Sequence, residues 1–208
     1  MVTANVNGLS LGRVKVQRLR PTQITVGVRE VEAKRAHWAQ LSRKQRKTAL
    51  EQHLFPAVLG PGQRHYIVDH HHLGLALLLE GVKSAWVTVL DDLSWLAPQV
   101  FWRTMEFRSW AHPYDARGRR CDYRDIPKKL EQLQDDPYRS LSGLVRAAGG
   151  FAKYQTPFAE FLWADFFRSR IAPRLAATTP PQTLNTAVRL ARSPEARYLP
   201  GWTGKAMP

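Results

Sequence analysis

The chain of 208 residues has a single cysteine, Cys121. One thiol cannot form an intramolecular disulfide, and it cannot build a cysteine-based zinc site. Long apolar runs are also missing. The longest, Leu73 to Leu79, falls far short of the roughly 20 residues that cross a bilayer. Met1 to Arg13 lacks the basic start and apolar stretch of a secretory leader. No two histidines stand four residues apart, so the His-x-x-x-His pair of a helical zinc site is absent. No internal repeat of solenoid length is present. Acidic residues are few, 17 against 31 Lys and Arg, for a formal net charge of +14. These absences exclude disulfide scaffolds, cysteine-ligated zinc modules and repeat arrays. They lead to the expectation of a cytoplasmic protein with no membrane partner.

Hydrophobic residues make up 44%, enough to bury a core. Five of the seven tryptophans (Trp86, Trp95, Trp102, Trp110, Trp163) predict aromatic packing in the second half. The positive charge is spread along the chain. Residues 1–90 carry 13 Lys/Arg against 5 Asp/Glu, or +8, and residues 91–208 carry 18 against 12, or +6. A field of this size attracts nucleic acid, nucleotides or acidic membrane without choosing among them. Solvated basic faces on a soluble protein account for the same numbers.

Val14 to Leu19 alternates apolar and polar residues, as a half-buried strand does. Arg20-Pro21-Thr22-Gln23 breaks it, and Ile24-Thr25-Val26 is a second β-prone run. Glu30 to Leu50 reads as one helix with a basic tail, Arg43 to Lys47. Phe55 to Leu59 and His65 to Val68, separated by Gly60-Pro61-Gly62, predict a hairpin. Asp69 to Glu80 reads as an apolar helix closed by Gly81, and Ala85 to Leu90 as a strand. Beyond Asp91-Asp92, Leu93 to Trp110 reads as helical and residues 111–127 as a long loop. Further helices are expected over Pro127 to Leu133, Ser140 to Ala148 and Phe158 to Ile171. Ala176 to Pro181 reads as a linker, and residues 194–208 as loosely held apart from Trp202. The expectation is an α+β fold: a compact unit over residues 1–92 followed by a mostly helical extension or cap over 93–208.

The local feature richest in chemistry is the strand Tyr66-Ile67-Val68 running into Asp69-His70-His71-His72 and then an apolar helix. A helix N-terminus presents unpaired backbone N–H groups and about half a positive charge, so it suits an anion. Imidazoles add donors. Asp69 reads equally as a helix N-cap bonded to the N–H of His71 or His72, and the two roles are compatible. Successive helical residues turn by about 100°, so at most two of the three histidines face one site. Glu30 is a candidate general base for a hydroxyl or water, and equally a carboxylate favoured by a helix start. Arg20, Lys34 and Arg64 are candidate phosphate ligands, with Thr22 and Gln23 as neutral donors; each alone reads also as a surface or loop residue. Asp91-Asp92 reads as a loop start, or as a partner of Asp69 around Mg²⁺. His112 and Tyr114 read as an ordinary exposed loop rather than a lid. No metal site is assigned to protein side chains.

Leu19-Arg20-Pro21-Thr22-Gln23, Val26-Gly27, Glu30-Val31 with Lys34, Pro56 with Val58, Gly60-Pro61, and Tyr66 through His72 follow one another in an order that resembles the bacterial ParB-like nucleases. That family belongs to the ParB/sulfiredoxin superfamily. Asp135 to Ser140 and Pro157 to Ala164 extend the resemblance to about residues 13–170. It implies a ParB/sulfiredoxin-like fold for residues 1–92 and phosphate chemistry at the strand-to-helix turn. ParB proteins contact CTP phosphates there, and sulfiredoxins carry a catalytic Cys there and bind ATP. The related free-serine kinases use an Asp-Gly-His-His-Arg stretch for nucleotide phosphates and an early Glu as base. This chain departs from each: Cys121 lies outside the turn, Leu73 stands where the kinase stretch has Arg, and the paired-arginine box of ParB is absent.

The resemblance and the residues together lead to one expectation and two alternatives. The expectation is a nucleotide- or phosphate-binding protein, a phosphotransferase or phosphohydrolase, taking ATP, ADP or CTP with Mg²⁺. Glu30 and Asp69 would be catalytic, with Arg20, Thr22, Gln23, Lys34, Arg64, His70, His71 and His72 around the phosphate. The first alternative is a DNA-binding protein or nuclease using the basic surface. The second is a regulatory domain that binds a small anion.

Overall fold

The computed structural model describes residues 4–6 and 9–204. Strands β1 (Ala4–Val6) and β2 (Leu9–Lys15) run antiparallel, and β2 pairs antiparallel with β6 (Ser84–Asp92). On its other side β6 lies parallel to β4 (Phe55–Gly60), with a register shift between Ala57 and Val58. Strand β5 (Arg64–Ile67) closes the expected hairpin with β4. The sheet order is β1-β2-β6-β4-β5. A parallel pair needs a crossover, and helix α3 (His71–Leu79), between β5 and β6, lies on that path. A second parallel ladder joins β3 (Thr25–Val26) to β7 (Gln134–Asp135), so residues far apart in sequence meet beside the sheet. With eight helices among the described residues, the fold is α+β.

The strand expected over Val14 to Leu19 ends at Lys15. Val16–Arg18 winds into a 3-10 turn that sinks Val16 and Leu19 into the core. The helix expected over Glu30 to Leu50 is two helices, α1 (Val28–Gln40) and α2 (Arg43–Gln52). Ser42 divides them. Its side chain accepts from the Gln45 N–H, and the Gln45 side chain accepts from the Ser42 N–H, a capping box that makes a fresh start better than continuation. Phe55, Ile67, Leu75, Leu77 and Val31 form the core between sheet, α3 and α1, and Leu130 and Leu133 enter the same cluster from the second half. Leu130 opens a 3-10 turn, Leu130–Gln132, and Leu133 follows it, where a longer helix was expected.

In the second half, α4 (Pro98–Phe107) packs Phe101 and Met105 on Val58 and Tyr66 of the hairpin. Helix α5 (Pro137–Ala147) begins earlier than the sequence pattern suggested, because Asp136 caps it and Pro137 occupies its first position. Helices α6 (Ala159–Arg168), α7 (Pro173–Thr178) and α8 (Pro181–Arg192) complete it. The expected linker over Ala176 to Pro181 is only the left-handed turn at Thr179 between α7 and α8. Residues 194–204 are not loosely held. The Trp202 indole N–H donates to the Ser193 carbonyl at 3.0 Å, and the Trp163 indole N–H donates to that of Pro200 at 2.9 Å. Trp163 itself is fully buried, stacked 4.1 Å from Phe151. No helix among the described residues is long and apolar enough to cross a membrane.

Gly27, at the start of α1, packs directly against Ser140 of α5. A Cβ there would lie 2.8 Å from the Ser140 backbone nitrogen, which cannot rotate away. Gly27→Ala is therefore expected to push the helices apart and destabilise the protein by about 1–3 kcal/mol. Urea denaturation measures this, and an unchanged midpoint would contradict the packing described.

Candidate functional site

Strand β5 delivers the chain into the Asp69 turn. Asp69 Oδ1 accepts from the N–H of His70 at 2.6 Å, one residue earlier than a helix cap requires. His70 is the N-cap residue of α3, held in the left-handed region with φ of 63° and with its ring edge-on to Phe55. That conformation is uncommon outside glycine and costs of order 1 kcal/mol. No side chain caps α3, and the N–H groups of His71, His72 and Leu73 have no acceptor among the described residues. The turn leaves the positive end of the helix open.

His71 and His72 are buried and do a different task. The Thr22 N–H donates to Nε2 of His71 at 3.1 Å, and the Gly27 N–H donates to Nε2 of His72 at 3.0 Å. An Nε2 that accepts is unprotonated, so both rings are neutral with the proton on Nδ1. Burial drives His71 down to about 3, against smaller opposing effects of Asp69 and the Ile67 carbonyl. Burial also holds His72 well below its ordinary value, with Arg139, His71, Lys34 and Arg146 adding to it. The 3.7 Å approach of His72 Nε2 to Glu30 Oε2 is therefore no salt bridge. The Nε2 atoms of these histidines are engaged and do not serve a phosphate. Thr22 is buried behind them, its hydroxyl donating to the Ile67 carbonyl at 2.8 Å.

Glu30 stands one turn into α1 and meets charges from both halves of the chain. Lys34 Nζ lies 3.6 Å from its Oε1, and Arg139 Nη1 lies 3.2 Å from its Oε2. Arg139, on α5, also pairs with Glu160 of α6, which pairs in turn with Arg146 at 2.9 Å. The ends of α1 and α5 are tied together. The Val28 N–H donates to Asp135 Oδ1 at 2.9 Å, and the Arg29 N–H to Ser140 Oγ at 3.3 Å. Gly143 faces the Glu30–Arg139 pair from the middle of α5, where glycine costs about 1 kcal/mol relative to alanine.

These groups line one cleft of about 1040 Å³. Its cations are Arg29, Lys34, Arg139, Arg146 and Lys153; its carboxylates are Glu30, Asp69 and Glu160. Lys34, Lys153 and His53 lie close enough to His70 to oppose its protonation, after the larger effects of burial and of Asp69, which favours it. A wall of Trp38, Trp110, Phe158 and Phe161 closes part of the cleft.

Of the residues expected from sequence, Glu30, Asp69, Gln23, Lys34, His70, His71 and His72 line this cleft. Thr22, Arg20 and Arg64 do not: Thr22 is fully buried, with its N–H and hydroxyl bonded within the chain. Arg20 donates to the Lys128 carbonyl at 2.5 Å, and Arg64 is exposed at the start of β5. Asp91 and Asp92 do not join Asp69. Asp91 pairs with Arg108, and Asp92 accepts from the Ser94 N–H. Among the described residues no three of His, Cys, Asp and Glu gather closely enough to hold a metal. His112 is not part of a loose loop. Its N–H donates to the Thr22 carbonyl at 2.8 Å, its ring packs on Tyr114, Phe158 and Phe161, and burial lowers its pKa to about 4, against an opposing effect of Glu106. Sequence reasoning missed Arg139, Arg146, Lys153 and Glu160. Two of these, Arg139 and Glu160, lie inside the segments whose order carried the family resemblance, and that placement was the available signal.

Residues 12–169 match the model of the family described as "Putative ParB-like nuclease". A solved structure, the crystal structure of protein Atu1540 from Agrobacterium tumefaciens, is similar to the chain. Its TM-score is 0.87 at 46% identity, over 94% of this chain and 98% of that one. A search of curated proteins found no match.

The buried histidines set a pH dependence. His71, His72 and His112 have lowered folded pKa values, so the unfolded chain takes up their protons first as pH falls below about 6.5. Stability is complete above that pH. It is then lost by up to about 1.4 kcal/mol per pH unit for each histidine, until the folded values are reached, about 4 for His112 and about 3 for His71. Urea denaturation from pH 8 to 4.5 is expected to show this decline well before ordinary carboxylates titrate. A flat profile would contradict the neutral, accepting imidazoles.

Proposed function

The chain belongs to the ParB-like nuclease family, and from that premise we propose that its cleft binds a nucleotide or related phosphate ligand and catalyses phosphoryl transfer or hydrolysis. The observation that carries this reading is the convergence of an uncapped helix N-terminus with cations from both halves of the chain. A phosphate placed there accepts from the N–H groups of His71, His72 and Leu73, while Lys34 and Lys153 offset its charge. The aromatic wall of Trp38, Trp110, Phe158 and Phe161 suits a planar base. Glu30 takes the proton of the attacking hydroxyl or water as its oxygen bonds to phosphorus and the P–O bond to the leaving group breaks. Asp69, exposed at the rim, is the carboxylate suited to a Mg²⁺ ion brought by nucleotide phosphates, which would offset their charge.

A second reading, a nuclease or nucleic-acid binder, is favoured by the +14 charge. It predicts binding of short DNA that weakens steeply with salt and depends little on Glu30.

A thermal-shift screen with ATP, ADP, CTP, inorganic phosphate and short DNA, with and without Mg²⁺, separates the two. A nucleotide at a hundredfold excess over its Kd is expected to stabilise the protein by about 2.7 kcal/mol, and the shift is expected to vanish in the double variant Lys34→Ala/Lys153→Ala. Glu30→Gln is expected to keep the shift and to lose at least about a hundredfold in phosphate release. A shift with DNA alone would move the assignment to nucleic acid.

A further inference from the structure

Helix α8 lies beyond the stretch that carries the family match, which ends at residue 169. One stripe of it turns inward: Thr183, Ala187 and Ala191 are buried, and Leu184 and Val188 pack on the core of the helical half. The opposite stripe, Gln182, Asn185, Arg189 and Arg192, is exposed. Successive helical residues turn by about 100°, so these four side chains fall within about 80° of arc and form one ridge. No carboxylate interrupts it, since neither α7 nor α8 contains Asp or Glu. Residues 170–204 carry five Arg against one Glu, or +4, and no Lys. That one carboxylate, Glu195, approaches Arg170 at 3.5 Å. Among the described residues Arg174, Arg189, Arg192 and Arg197 pair with no carboxylate.

Helix electrostatics does not account for this set of cations. Arg189 and Arg192 suit the negative end of α8, but Arg174 stands in the first turn of α7, where the dipole disfavours a cation. Arg192 is also oriented. Its Nε and Nη2 donate to the Gly149 carbonyl at 3.3 and 2.8 Å, and its Nη1 has no acceptor among the described residues. It borders a hollow of about 480 Å³ with Gly149, Thr203 and Gly204. A guanidinium held in this way loses little freedom when a further acceptor arrives.

The composition of the ridge selects its partner. An acid-free row of arginines fits a polyanion. A membrane surface takes up the apolar stripe of a helix, and that of α8 is already buried in the core. A single nucleic-acid strand stacks its bases on aromatic rings, and the ridge has none. A duplex keeps its bases stacked inside. It offers phosphates, which suit Arg, and base edges in its grooves, which suit the side-chain amides of Gln and Asn.

We infer that the exposed ridge of α8, with Arg197 just past its end, is a docking surface for double-stranded DNA. Arg189, Arg192 and Arg197 serve the phosphates, and Gln182 and Asn185 the base edges. The surface is separate from the cleft, so the inference holds whichever ligand the cleft takes.

Fluorescence anisotropy of a short labelled DNA duplex tests it on the full chain, in salt from about 50 to about 200 mM. The double variant Arg189→Ala/Arg197→Ala is decisive. Both side chains are exposed, so its urea midpoint is expected to match that of wild type. It is expected to bind the duplex at least about tenfold more weakly at low salt, and to lower the slope of log K against log salt by about 2. Lys34→Ala/Lys153→Ala, in the cleft, is expected to bind the duplex within about twofold of wild type. The inference is overturned if the duplex fails to bind at low salt, if binding survives in the α8 variant, or if the cleft variant loses it instead. Tighter binding of single-stranded DNA or of anionic phospholipid vesicles than of the duplex would overturn it as well.

Discussion

Two backbone-to-imidazole hydrogen bonds, Thr22 N–H to His71 and Gly27 N–H to His72, hold the site in one piece. They fasten the irregular segment between β2 and α1 onto the first turn of α3. Breaking either one strands a buried donor and a buried acceptor, each at a cost of about 1–3 kcal/mol. Gly27 is also the first residue bounding α1, so its bond to His72 fixes where Glu30 stands, one turn further on. From the same point Asp135 and Ser140 bond to the N–H groups of Val28 and Arg29, which brings α5 and Arg139 alongside. Histidines that look like ligands in the sequence are thus the joints on which the cleft-lining groups are mounted.

That arrangement explains which parts of the molecule were legible in the sequence. The β4–β5 hairpin and α3 were legible because their signals are local: a Gly-Pro-Gly turn between β-prone runs, and an apolar stretch ending at a glycine. The break between α1 and α2 was equally local, since Ser42 and Gln45 spell a capping box, but the continuous basic pattern across it masked the signal. Helix α8 carries local signals as well, Pro181 at its first position and Leu184, Ala187, Val188 and Ala191 on one stripe, yet it is not among the helices expected from the sequence, where Pro181 reads as the end of a linker. The helical limit of two histidines per site does not cover His70, which stands outside α3 in a left-handed conformation and lines the same cleft as His71 and His72. What geometry within one helix could not tell was that the buried pair accepts hydrogen bonds from residues 45 and 49 positions earlier. Arg139 was out of reach for the same reason: its partner Glu30 is brought to it by the β3–β7 ladder, a long-range pairing with no local trace.

The charge of the chain divides along the same lines. Arg108–Asp91, Arg119–Asp115 and Arg120–Glu106 are surface pairs, each worth little in water. Around α3 the situation differs, because Arg139 is buried and Lys34, Arg146 and Lys153 border the same cleft. There, cations and an open helix end act together with less screening by solvent. On the proposed reading it is this local placement of charge, more than the total of +14, that draws phosphate to the cleft.

The central claim is that the open N-terminus of α3 is where an anion binds. Titration of the ¹⁵N-labelled protein with pyrophosphate, followed by amide NMR, tests it most directly. The account predicts saturable shifts of the His71, His72 and Leu73 amide signals, with the Arg139 side-chain Nε–H following. Shifts scattered over exposed lysines and arginines, with the α3 amides unmoved, would contradict it.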